Sequence, residues 1–398
     1  MDVPPVNTSV SSSHLSLCPS LATRLLLPSA YALLFLTALP GNALSLWVFL
    51  RRIATMSPTH VYLCHLSVSN LLLSVTAPFL AAYYARGWAW ALRGVLCQLV
   101  LHGVTPVLHI NVYISILILT WVALSRFAAL IRHTHADRPS VCATLLPRAF
   151  FTRLTEAAFA SRVCVTVWAV AVGGVVPVTV YYSVNEARSS EGAGCAEVCY
   201  NPVLEIGGSV STTMVVVPIS VFFMCYLLVI MSYMTVLSHI RRSRRNTHVT
   251  TSKRLLSRVL RNIVVIQVVL SVCLLPYNIF RPIFMSMTHH QDPPTFSPSA
   301  SICDDCHPMS VFVEVKNALF LLALLRGSTD PVMYVLLDKI FRHQTFKLLR
   351  CNRGNRGGDN DGKPARCLVT GSAGLRSDQQ VEGTTATATG DFSQGSFL

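Results

Sequence analysis

Seven stretches of the chain, roughly 25–50, 60–83, 96–126, 163–184, 206–240, 259–285 and 312–337, are apolar almost throughout and about 20 residues long or longer. A helix of that length crosses the ~30 Å hydrocarbon core of a bilayer, and it satisfies its own backbone hydrogen bonds where no water can. The pattern predicts an all-α membrane protein built as a seven-transmembrane-helix bundle. Composition agrees, since 52% of the 398 residues are hydrophobic and only 13% are charged, too apolar for a soluble chain of this length. A net charge of +14 would suit nucleic acid, but the basic residues cluster in short loops with no aromatic platform beside them. Nucleic acid is therefore excluded, and the lipid bilayer is the expected surrounding.

Seven crossings place the termini on opposite sides. Arg51 and Arg52 follow the first run, Arg132, Arg138, Arg148, Arg153 and Arg162 lie between the third and fourth, and Arg241, Arg242, Arg244, Arg245, Lys253, Arg254 and Arg258 lie between the fifth and sixth. Excess Lys and Arg mark the cytoplasmic side. The opposite loops carry Glu186, Glu191, Glu197, Asp292, Asp304 and Asp305, so the N-terminus is expected outside, where Asn7-Thr8-Ser9 is a glycosylation sequon. The first 24 residues hold one basic residue, Arg24, and no cleavable signal is expected; the first spanning helix does the targeting. The expected organisation is an extracellular tail (1–24), the bundle (25–337), a short amphipathic eighth helix on the inner membrane surface (338–351) and a disordered cytoplasmic tail (352–398). In that eighth helix Phe341, Leu348 and Leu349 share a face, with Arg342, Lys347 and Arg350 beside them. Cys351 at its end is either a palmitoylation site or an ordinary cytosolic thiol.

Charges deep in an apolar span need a reason. Glu314 and Lys316 lie near one end of the last run, but Arg326 and Asp330 lie well inside it, four residues apart and so on one helix face, where each partly neutralises the other. Pro331 follows at once. Its missing N–H frees the carbonyl of Gly327, with the hydroxyls of Ser328 and Thr329 expected to serve this weakened turn.

Cysteines and histidines are the remaining candidates for chemistry. Cys18, Cys97, Cys195, Cys199, Cys303 and Cys306 fall at or outside the outer boundary, an even set in an oxidising compartment that allows fifteen disulfide pairings. Cys303 and Cys306 with His307 also have the spacing of part of a metal site, although disulfide bonding is the commoner use of such a pair. No nucleophile-elbow, zinc-binding or phosphate-loop spacing occurs, so neither catalysis nor a cofactor is expected.

Landmarks recur in order over residues 25 to 350: Gly41-Asn42 in the first run, Leu66-Ser67-Val68-Ser69-Asn70 in the second, Trp90 and Cys97 before the third, and Ser125-Arg126-Phe127 at its inner end. Trp168 and Pro177 follow in the fourth, Cys273-Leu274-Leu275-Pro276 in the sixth, and Asp330-Pro331-Val332-Met333-Tyr334 in the seventh. Together they resemble the rhodopsin-like (class A) G-protein-coupled receptors, and Pro78, Leu275-Pro276-Tyr277 and the Asp-Pro form of the last motif resemble their purinergic-like branch. The resemblance implies a plasma-membrane receptor coupled to a heterotrimeric G protein, with an arrestin as a further partner at the C-terminal tail. It implies a small anionic ligand held by Arg281 and Lys316 with His109, Tyr113 and Tyr277. It implies G-protein contact through Arg126 and the basic face of Arg254, Arg258 and Arg261, and an internal switch of Asn70, Pro276, Arg326, Asp330, Pro331 and Tyr334. A disulfide from Cys97 to Cys199 is implied as well, leaving Cys18, Cys195, Cys303 and Cys306 for further bridges.

The departures are as informative. Asn70 stands where the family has an aspartate that holds sodium, and Arg326 brings a fixed cation in its place. Ser125 replaces the acid beside Arg126, so that arginine is expected to lack its adjacent carboxylate. Leu274 replaces an aromatic. Tyr233 stands fifteen residues after Pro218 where the family spaces proline and tyrosine by eight, and Cys97 lies about one turn further from Arg126 than usual. Two other functions stay open on these residues: a receptor active without agonist or modulating a partner receptor, and a transporter or channel lined by Arg326 and Asp330, for which no internal repeat is visible. Arg281 and Lys316 could instead anchor helix ends at the headgroups, and the basic face could equally meet anionic lipid.

Overall fold

The computed structural model describes residues 20–85, 104–134, 148–190, 209–245, 250–288 and 309–354. Among them are seven helices long and apolar enough to span a membrane. In chain order the elements are α1 (Leu21–Arg51), α2 (Pro58–Ala85), α3 (Thr105–Thr134), the short α4 (Arg148–Leu154), α5 (Ala157–Ser190), α6 (Ser209–Arg245), α7 (Thr250–Val269), α8 (Leu275–Thr288), α9 (Met309–Leu337) and α10 (Lys339–Gly354). A π turn at Leu270–Leu274 joins α7 to α8, which together make the sixth span. No strand occurs among the described residues. The chain forms two compact units, Met1–Lys347 and Leu348–Leu398, and the helices discussed below belong to the first up to Lys347.

Local chemistry sets several ends. Ser20 caps α1 by accepting the Thr23 N–H at 3.2 Å. Pro58 opens α2 at the position where a missing N–H costs nothing. Ser57 then makes a reciprocal cap, its Oγ accepting the His60 N–H and its own N–H donating to His60 Nδ1, both at 3.3 Å. Histidine here does what glutamate or glutamine does in a capping box.

The spans close into a ring within the first unit, because α1 packs on both α2 and α9. At the centre runs α3, which contacts α2, α5, α6, the sixth span and α9. Its apolar window is 67% buried against 22% in α6, so α3 is the internal strut and α6 turns most of its surface outward. Two features were not foreseen. Helix α4 folds against the C-terminal part of α3, burying Phe151 and Leu154 against Ala128 with Trp121, Phe127 and Phe159 around them. The π turn lies directly ahead of Pro276, with the Leu275 N–H reaching back to the Leu270 carbonyl, so the helix widens just before the residue that cannot donate. Tyr226 bonds Ser271 in that turn at 3.0 Å. Tyr226 is also eight residues after Pro218, so the spacing sought at Tyr233 is met by Tyr226 instead.

Helix α1 approaches α9 through Gly41, where an added Cβ would lie 3.0 Å from Pro331 Cγ. Next to it, Asn42 Nδ2 donates to the Gly327 carbonyl at 2.8 Å. The carbonyl freed by Pro331 is therefore served by α1, not by Ser328 or Thr329, whose hydroxyls contact Thr37 and the Arg326 carbonyl. Gly41→Leu should force α1 and α9 apart, lowering stability by about 1–3 kcal/mol. Thermal unfolding of the purified protein checks this, and an unchanged midpoint would contradict the close approach.

Candidate functional site

Three groups of polar residues occupy the bundle at successive depths. The deepest is centred on Arg326, which is 1% exposed, and Asp330, which is fully buried. Arg326 Nη1 donates to Asp330 Oδ2, and Arg326 Nη2 donates to Ser115 Oγ, to Asn70 Oδ1 at 3.2 Å and to Asn111 Oδ1 at 3.5 Å. Asn70 Nδ2 in turn donates to Asp330 Oδ2 at 2.7 Å and to Asn42 Oδ1 at 3.1 Å, while Asn111 Nδ2 reaches Ser69 Oγ at 2.9 Å. The expected side-chain pair is thus the centre of a network drawn from α1, α2, α3 and α9. Asn111 and Ser115 were missed by sequence reasoning, although their spacing of one helical turn in an apolar run was a usable signal.

A guanidinium in this position does what a bound cation would do, facing Asp330 with a positive charge. Arg326 Nε and Asp330 Oδ1 still have no hydrogen-bond partner among the described residues. The network's desolvation cost is therefore only partly offset, and it is better understood as a device for one specific arrangement than as a source of stability.

Nearer the other end, α3, α8 and α9 bring together four of the five residues expected at the ligand. Tyr277 and Phe320 have ring centroids 5.1 Å apart, and His109 lies 5.8 Å from Phe320. Arg281 sits 5.9 Å from the Tyr277 ring and donates to Tyr113 Oη at 3.5 Å. Phe320, missed from the sequence, joins the set. Lys316, the fifth, lies one turn before Phe320, with its Nζ 5.2 Å from the Phe284 ring. Lys316 thus stands beside the cluster through Phe284, which follows Arg281 on α8. Glu314 is engaged elsewhere, accepting the Ser20 N–H at 2.5 Å.

At the opposite end Ser125 turns its hydroxyl to the Val122 carbonyl, as expected of a residue that cannot hold Arg126. A carboxylate is nonetheless present, because Asp338 Oδ2 lies 3.8 Å from Arg126 Nη2 and 2.9 Å from His60 Nε2. The adjacent carboxylate is absent as expected, and an acid not foreseen from the sequence comes instead from the corner between α9 and α10. Burial would raise the Asp338 carboxyl, but the His60 bond, the Phe341 N–H and the Arg126 charge outweigh it and hold the group below its ordinary value. Pro276 and Tyr334 lie in α8 and α9 as expected, Tyr334 fully buried with its ring 5.8 Å from Phe49. Arg261 is exposed on α7, whereas the side chains of Arg254 and Arg258 lie outside the described residues. So do Asn7, Cys18, Cys97, Cys195, Cys199, Cys303 and Cys306, and the side chain of Cys351.

Residues 41–334 match the model of the 7 transmembrane receptor (rhodopsin family). The chain belongs to that family, the class A G-protein-coupled receptors, and is a multi-pass membrane receptor rather than an enzyme. It is 35% identical over 334 residues to the human protein named Probable G-protein coupled receptor 82, covering 83% of this chain and 94% of that one. It is 27% identical over 328 residues to a purinoceptor of Rattus norvegicus, covering 82% and 80%. With the human Uracil nucleotide/cysteinyl leukotriene receptor it shares 26% identity over 335 residues, 84% and 79% of the two chains. These relatives place it in the purinergic-like branch.

Arg326→Leu alone strands Asp330, and Asp330→Asn alone strands the guanidinium; each should cost roughly 3–5 kcal/mol and lower surface expression. The double variant leaves no buried charge and should cost far less than the sum of the two. Additive losses in a thermal-unfolding cycle would show that the two side chains do not act as a pair. Because Arg326 fills the cation's role, the unfolding midpoint should not move when sodium is replaced by choline at constant ionic strength.

Proposed function

We propose that this receptor binds a small anionic ligand from outside the plasma membrane and passes the signal to a heterotrimeric G protein in the cytoplasm. The observation that carries the ligand class is Arg281 set against Tyr113 and Tyr277, with Phe320 and His109 continuing the aromatic cluster and Lys316 one turn from Phe320. A guanidinium and an ammonium beside aromatic faces suit a phosphate or carboxylate joined to a flat or apolar body. One relative supports the class by name, a receptor for uracil nucleotides and cysteinyl leukotrienes, both anionic families of molecule. The side of the membrane follows from the Arg-rich loops, which put the N-terminus outside and Arg126, Arg254, Arg258 and Arg261 inside, facing the G protein. The same orientation gives Asn7 to glycosylation, Cys97 and Cys199 to an outer disulfide, Cys351 to palmitoylation, α10 to the inner membrane surface and the tail to an arrestin.

Screening anionic metabolites against cells carrying the receptor and a panel of G-protein reporters identifies the agonist. Arg281→Ala and Lys316→Ala should then each reduce its potency about tenfold or more at equal surface expression, the loss of one charge-assisted contact of about 1.5–3 kcal/mol. Unchanged potency in both variants would remove the anionic-ligand reading.

A further inference from the structure

Asp338 joins two helices through its own backbone. Its N–H closes the last turn of α9 on the Tyr334 carbonyl at 2.9 Å, and its carbonyl opens α10 by accepting the Arg342 N–H at 3.1 Å. Its side chain caps α10, Oδ1 accepting the Phe341 N–H at 2.9 Å. That leaves Oδ2 to face inward, where His60 donates to it. The Ser57 N–H occupies His60 Nδ1, which makes Nε2 the ring's donor and ties the cap of α2 to the cap of α10.

Three further helices meet this corner. From α3, Arg126 Nη2 approaches Oδ2 to 3.8 Å. From α7, Asn262 Nδ2 donates at 3.2 Å to the Leu337 carbonyl, one of the last carbonyls of α9 that no helical N–H can reach. From α1, Phe49 stacks on Phe341 at 4.8 Å and packs on Tyr334 at 5.8 Å.

We propose that Asp338 is a carboxylate that restrains Arg126 in the resting receptor, in place of the acid absent at Ser125. The physical basis is the position of Oδ2, which the α10 cap and His60 fix at 3.8 Å from Arg126 Nη2. His60 is a positioning residue, holding Oδ2 toward Arg126. This inference rests on the G-protein reading for its consequence but not for its geometry.

The restraint has a modest size, since the Arg126 side chain is 27% exposed and a partly exposed ion pair changes a two-state population by up to about fivefold. Asp338→Ser is the informative substitution because serine keeps a capping oxygen for α10 while removing the charge. In purified full-length receptor in nanodiscs, Asp338→Ser and Arg126→Gln should each lower the unfolding midpoint, and the double variant should fall no further than the worse single one. Additive shifts would overturn the pairing whatever the receptor couples to. In cells at matched surface expression, Asp338→Ser should raise ligand-free activation of a G-protein panel about two- to fivefold, and adding Ser125→Asp should bring it back down. His60→Gln, which keeps both a cap acceptor and a donor, should stay low, whereas His60→Leu should rise. Unchanged ligand-free activation in Asp338→Ser, in a receptor that an agonist can activate, would overturn the restraint. If neither agonist nor any variant activates a G protein, the coupling reading fails, and the unfolding cycle alone decides whether Asp338 holds Arg126.

Discussion

The bundle depends on the requirement that polar groups removed from water be satisfied by other groups of the protein. Arg326 is the extreme case. A guanidinium carries five N–H donors and cannot shed its charge, so burying it on α9 obliges the neighbouring helices to present acceptors. Asp330 supplies the opposite charge, and Asn70, Asn111 and Ser115 supply the remainder from α2 and α3. Once those acceptors are aimed at Arg326, the rotations of three helices about their axes are constrained. Asn42 extends the constraint to α1 by bridging Asn70 and the Gly327 carbonyl that Pro331 leaves open.

The same logic recurs at both ends with different strength. In the cluster of α3, α8 and α9 Arg281 and Lys316 are only partly buried and rest against aromatic rings. At the corner between α9 and α10 Asp338 and His60 are nearly buried while Arg126 keeps about a quarter of its side-chain surface open. A deep, fully enclosed pair makes a rigid centre, and a partly open pair makes a contact that can be exchanged. Signal transfer in such a bundle needs both, because a moving part must pivot on one that does not.

Much of this was legible in the amino-acid order, and particular residues show where legibility ended. Seven spans and the deep Arg326 and Asp330 on one face were anticipated. The cap at Ser57 and His60 was also written locally, though histidine obscured it by standing where glutamate is usual. Phe320 was missed because one more aromatic residue in an apolar run carries no distinguishing pattern. The role of Tyr226 was missed because Tyr233 drew attention to the wrong interval from Pro218. The π turn ahead of Pro276 could be suspected from the proline but not placed.

Apolar length and periodicity are properties of contiguous residues, so the sequence by itself determined that this chain crosses a membrane seven times and that two opposite charges lie deep in the last helix. Tertiary structure decided which polar groups meet. Asn70 and Asp330 are 260 positions apart, and His60 and Asp338 are 278 apart. Whether such residues touch depends on how far each helix is turned about its axis and on how closely Gly41 lets α1 approach α9, quantities that no local pattern encodes. The carboxylate facing Arg126 therefore had to come from the fold: nothing at Ser125 points to Asp338, and only the packing of α2, α3, α7 and α9 around one helix corner brings it there.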